Sequence, residues 1–103
     1  MNETLELGGN ISLAGFKDVD KAQLIVVKKI VGQYAKRFSE ICERFEKLSI
    51  TMKPVHKTEK SEIFELHAKA MDNGKQYVAQ ISDRNLFFAL DKVLKKVENE
   101  IQK

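Results

Sequence analysis

The chain offers catalysis two histidines, one cysteine and a pair of aspartates, and their spacing suits none of the common reactions. His56 and His67 fall on separate predicted strands, with no cluster of Cys, His or carboxylate at metal-ligand spacing beside them. His67 reads as a strand residue on a solvent face. Cys42 recurs with the apolar positions of a helical pattern; as the sole cysteine it can build neither an internal disulfide nor a thiolate metal site, so it reads as core filler. Asp83 and Asp91 flank the start of a helix, where a cap and an exposed acid account for them better than paired acid-base chemistry. Gly8-Gly9 is a bare glycine pair without a phosphate-loop or dinucleotide pattern around it. The expectation is a protein that is not an enzyme and needs no cofactor, metal or small-molecule substrate.

The cations are more informative. The excess of 18 Lys+Arg over 15 Asp+Glu leaves a formal charge of only +3, so distribution matters more than the total, because attraction to phosphate is local and screened. At 100° per residue, Lys21, Lys28, Lys29 and Lys36 fall in one sector of about 100° beside the apolar face of a first helix. Arg84, Lys92, Lys95, Lys96 and Lys103 lie opposite the apolar stripe of a second, with Phe88 among them. An aromatic amid cations can stack on a base or ribose; folding back onto the core is the other reading. Lys53, His56, Lys57 and Lys60 form a third basic cluster, on a connection between strands. Two helices lying side by side would merge their basic faces into one band suited to a phosphate backbone.

The elements that must position these residues follow from periodicity. Thr4 to Leu7 and Ile11 to Leu13 alternate polar with apolar around Gly8-Gly9-Asn10, predicting a first strand with a bulge or bend. Leu24, Val27, Val31, Tyr34, Ala35, Phe38, Ile41, Cys42 and Phe45 recur every three or four residues, predicting a helix from about Asp20 to Phe45 with Asp18 or Asp20 as its cap. Strands are predicted over Leu48 to Lys53, limited by Pro54, over Phe64 to Ala70, and over Gln76 to Ile81. The last two are joined by Asp72-Asn73-Gly74-Lys75, a strong hairpin signal. Leu86, Leu90, Val93, Leu94, Val97 and Ile101 then mark a last helix capped by Asn85 or Asp83. The order is β-α-β-β-β-α: an α+β fold with a four-stranded sheet and both helices on one face, similar to a double-stranded-RNA-binding domain.

With 43% hydrophobic and 32% charged residues, the 103 residues suit a single globular domain over 1–103. No apolar run approaches a membrane span, and the acidic start Met1-Asn2-Glu3-Thr4 carries no secretory signal, so a cytoplasmic protein is expected.

The run Ala79-Gln80-Ile81-Ser82-Asp83-Arg84-Asn85-Leu86-Phe87-Phe88-Ala89-Leu90-Asp91 resembles the passage from last strand to last helix in the ribosome hibernation-promoting factor and ribosome-associated inhibitor family. Asn85, Leu86, Phe87, Ala89, Leu90 and Asp91 fill that pattern without a gap, and Gly9-Asn10 before Ile11 is similar to the family's first-strand turn. Phe88 departs from it, standing where the family usually has a small residue, and a basic residue often found near Asn99 is absent. Lys96 matches a basic position of the family's last helix. The resemblance implies a translation inhibitor that binds ribosomal RNA of the small subunit and occludes the channel for mRNA and tRNA. It would be monomeric off the ribosome and, ending at Lys103, would resemble the short form, without the domain through which longer relatives pair ribosomes. The competing reading is a duplex-RNA-binding or protein-interaction module on the same scaffold.

Overall fold

A computed structural model describes residues 4–7, 10–57 and 62–103. Its elements are β1 (Thr4–Leu7), β2 (Ile11–Ala14), α1 (Lys21–Ile41), β3 (Phe45–Lys57), β4 (Glu62–Asp72), β5 (Lys75–Asp83) and α2 (Leu86–Ile101). The strands form one mixed sheet in the order β1-β2-β3-β4-β5, with β2 and β3 parallel and every other pair antiparallel. From β2 onward this is the expected β-α-β-β-β-α order of an α+β fold.

The chain departs from the expected first strand by reversing direction. Leu7 pairs with Ile11 and Thr4 with Ala14, so the two alternating segments make a hairpin and β1 becomes a fifth strand, in place of the expected single strand with a bulge or bend. The glycine pair itself lies outside the described residues. β2 can pair parallel to β3 because α1 supplies the long crossover that parallel neighbours require.

One face of the sheet is apolar throughout. Leu13, Leu48, Ile50, Met52, Leu66, Ala68 and Ala70 are buried there, joined at the margin by Ile11, Tyr77, Ala79 and Ile81. Registers Leu13↔Ile50, Ile50↔Ala68 and Ala68↔Ala79 place these side chains in rows across four strands. Both helices lie on this face. Val27, Val31, Ala35 and Phe38 of α1 share one core with Leu90, Val93, Leu94 and Val97 of α2, while Leu24 and Phe64 pack at its margin. Small Ala68 and Ala70 in β4 leave room for α2, which packs over β4 and β5.

Local chemistry explains most boundaries. Asn73 and Gly74 take φ of 53° and 82° between Asp72 and Lys75, the two positive values that a tight type I′ hairpin needs. Asn85 caps α2 by accepting the Phe88 N–H at 3.0 Å, and Asp83 accepts the Asn85 N–H at 3.0 Å. Asp20 occupies the cap position of α1, yet its side chain makes no capping bond. α1 stops at Ile41, one turn before the apolar periodicity does, because Cys42 is extended and Phe45 already opens β3. Phe45 still reaches the same core, edge-on to Phe38 at 6.2 Å. Pro54 stays inside β3, opposite Phe64, and the register shifts between it and His56. The absent donor is absorbed there by a bulge.

Candidate nucleic-acid interface

The helices run parallel and side by side. Ile41 and Ile101, at their C-terminal ends, line the same hollow beside the β4–β5 turn. Their seam is polar at the surface. Tyr34 donates its hydroxyl to Asp91 Oδ1 at 2.8 Å, and the Arg37 guanidinium lies 3.3 Å from both carboxylate oxygens of Glu98. Arg37 also stacks over the Tyr34 ring, 5.3 Å from its centroid. Glu98 is the one buried charged residue among those described, and Arg37 is what offsets its desolvation. Burial and the bond to Asp91 stabilise the neutral phenol and push the Tyr34 pKa up to about 12.

The seam fixes where every candidate cation stands. On α1, Arg37 marks the side facing α2, and Lys28 lies about 180° around the helix from it. Lys21 and Lys28 therefore occupy the flank away from α2, while Lys29 and Lys36 point outward from the sheet. On α2, Asp91 and Glu98 mark the side facing α1. Lys95 and Phe88 fall beside them on the outward surface, and Lys92 and Lys96 fall on the opposite flank, above β5. The merged band expected from the sequence thus divides in three: an outward surface with Lys29, Lys36, Phe88 and Lys95, and two flanks that face in opposite directions. Arg37 joins the outward set across the seam. Nothing in the sequence singles it out, because only the tertiary contact with Glu98 distinguishes it from any other helical arginine.

The side chains differ in what holds them. Lys92 bridges to Asp83 at 3.0 Å. The Asn85 N–H and the Lys92 ammonium keep the Asp83 carboxyl below the usual range, so their support for the start of α2 is present at neutral pH and fades as acid protonates Asp83. Lys21, Lys28, Lys29, Lys36, Lys95 and Lys96 are exposed and make no ion pair among the described residues. Arg84 is exposed just before α2, and Phe88 is 63% exposed, so it does not fold back onto the core. Of the third basic cluster, Lys53 is exposed on β3; His56 and Lys57 belong to β3 by backbone, and Lys60 lies outside the described residues.

His67 and Cys42 sit apart from one another, on opposite faces of the sheet. His67 is on the open face of the sheet, half-buried, beside the Glu65 carboxylate. Cys42 is half-buried against the core at the end of α1, and burial, aided by Asp72, pushes its thiol up to about 11. Such a thiol is a poor nucleophile at neutral pH. Among the described residues no three His, Cys, Asp or Glu side chains stand together as a metal-holding group, and no helix is long and apolar enough to cross a membrane. Compared with protein-family models and with curated proteins, the chain finds no match.

Proposed function

We propose that this chain is a cytoplasmic, non-enzymatic translation inhibitor that binds small-subunit ribosomal RNA through its helix pair and blocks the channel for mRNA and tRNA. One observation carries the reading. A chain of net charge +3 sets Lys29, Lys36 and Lys95, exposed and without an ion pair among the described residues, on the outward surface of its two helices with an exposed phenylalanine, Phe88, among them. Acids stand at i,i+4 spacing beside two of them, Glu40 beside Lys36 and Asp91 beside Lys95, but neither lysine forms that pair among the described residues and Asp91 is engaged by Tyr34, so Lys29, Lys36 and Lys95 stand ready to neutralise phosphates. Phe88 adds a flat apolar surface on which an unstacked base can lie. The resemblance of Ala79–Asp91 to hibernation factors supplies the target, and occlusion asks no chemistry of the protein.

Lys92 is a poor position for a test because its reversal would set two carboxylates together at the start of α2. Reversing Lys29, Lys36 and Lys96 to Glu leaves the caps, the seam and the core of the fold in place, and Lys95 is spared because it stands beside the seam acids Asp91 and Glu98. Co-sedimentation with small subunits across a salt series should show steep salt dependence for the wild type. The variant should bind weakly, its slope shallower by about one for each phosphate no longer neutralised. Reversing Lys47, Lys53 and Lys69, exposed on the sheet, controls for net charge. Equal damage from both variants would favour general polyanion attraction, and tight binding to free duplex RNA would favour the duplex reader. A folded helix variant that still inhibits translation like wild type would remove the proposed surface.

A further inference from the structure

The last strand of the sheet has no neighbour on its outer side among the described residues. β5 ends the order β1-β2-β3-β4-β5 and pairs with β4 in unbroken register from Asp72↔Lys75 to Phe64↔Asp83. In the tight turn the Lys75 N–H bonds back toward Asp72. Alternation then aims the backbone groups of the odd-numbered residues at β4 and those of Gln76, Val78, Gln80 and Ser82 outward. Natural sheets guard such an edge with lysine, proline, a bulge or a very short strand. Here Gln76-Tyr77-Val78-Ala79-Gln80-Ile81-Ser82 has no charge, no proline and no register shift, and Val78 is 61% exposed.

The strand is complementary to itself. Laid antiparallel to a second copy about a two-fold axis through Ala79, it sets Lys75 opposite the partner's Asp83 at each end. Val78 then faces the partner's Gln80, and Tyr77 faces the partner's Ile81. In this register the outward-facing groups of Val78 and Gln80 bond to each other, and Ala79 meets its own copy at a non-hydrogen-bonded site. Directly opposed residues share a face, so half-buried Tyr77 and Ile81 stay on the helix side and the two apolar faces become continuous. We infer that β5 is a self-association edge, through which two copies of this chain join their sheets antiparallel about Ala79. Such a two-fold contact is closed, which favours a dimer over a fibre. Lys92 and Lys96, on the flank of α2 above this edge, oppose their own copies, and together with the small area of one strand pair they keep the association weak and reversible. The monomer expected off the ribosome is then the dilute form of a monomer–dimer equilibrium.

Sedimentation equilibrium from micromolar to millimolar protein reads the association directly. The wild type should move toward twice its 11.8 kDa mass as concentration rises. Val78→Pro removes one outward donor from each copy without touching the β4 ladder; with each missing bond worth about 1 kcal/mol, it should weaken the dimer by more than roughly tenfold while circular dichroism stays unchanged. Lys75→Glu, a surface change, should weaken it too by opposing the partner's Asp83. Register has its own readout: on a Cys42→Ser background, Ala79→Cys should link to itself under mild oxidation far faster than Val78→Cys, which faces a glutamine. A wild type that stays monomeric at millimolar concentration overturns the inference and leaves the edge to a different chain. A dimer equally strong in Val78→Pro and Lys75→Glu overturns it as well, because the contact then lies elsewhere.

Discussion

The two helices rest on the same sheet, yet they are held in different ways. α2, the shorter, buries Leu86, Ala89, Leu90, Val93, Leu94, Val97 and Glu98, and starts from a cap in which Asn85 and Asp83 both satisfy backbone N–H groups. α1 runs for 21 residues and buries only Val27, Val31, Ala35 and Phe38. Its Asp20 makes no capping bond, Gly32 interrupts its middle, and Ile25 and Val26 remain exposed in its first turns. α2 has both a satisfied cap and a wide buried stripe, whereas α1 has neither and is the less firmly held of the two. The proposed RNA surface spans both, so its geometry is only as firm as the docking of α1.

The largest expected effect lies where the chain passes from β2 toward α1. Gly15 has φ of +84°, and a Cβ there would stand 2.1 Å from the Met52 carbonyl oxygen, a backbone atom that cannot yield. Gly15→Ala should cost about 4 kcal/mol or more and abolish cooperative melting of the whole domain. A mild effect would mean that α1 docks without this close approach. Next in size is the core: Leu90→Ala in α2 should cost about 2–5 kcal/mol in urea denaturation, and Leu24→Ala, half-buried in α1, about 1 kcal/mol. Similar costs at the two positions would erase the proposed asymmetry.

The caps give a finer comparison. Asn85→Ala should cost about 1 kcal/mol, because it leaves the Phe88 N–H unpaired, while Asp20→Ala should change stability by less than about 0.5 kcal/mol. The smallest effect has the opposite sign. A Cβ at Gly32 meets nothing within 4 Å, and the residue is in mid-helix, so Gly32→Ala should stabilise by up to about 1 kcal/mol. If firmer docking of α1 preorganises the outward lysines, the same variant should bind small subunits at least as tightly as wild type. Weaker binding would show that the helix must move to engage.

Much of this was legible from the sequence by itself. The period of the apolar residues gave both helices and the inner face of the sheet, since Leu48, Ile50, Leu66 and Ala68 alternate with polar neighbours and are buried as that alternation demands. Asn73-Gly74 fixed the last hairpin, because the backbone values it needs are ones those two residues adopt at little cost. The Asn85 cap was visible for the same local reason. What the tertiary structure decided were matters of partnership. Whether Thr4–Leu7 continues into Ile11–Ala14 or folds back on it depends on which strand edge is free, and no periodicity records that. Phe45 keeps helical spacing and still belongs to a strand, since an apolar side chain can reach one core from either backbone. Helical spacing put the lysines of each helix on a face, but a helical wheel has no knowledge of its neighbour. Only the contacts of Tyr34 with Asp91 and of Arg37 with Glu98 set the rotation of α1 against α2, and that rotation separates the outward cations from those turned to the flanks.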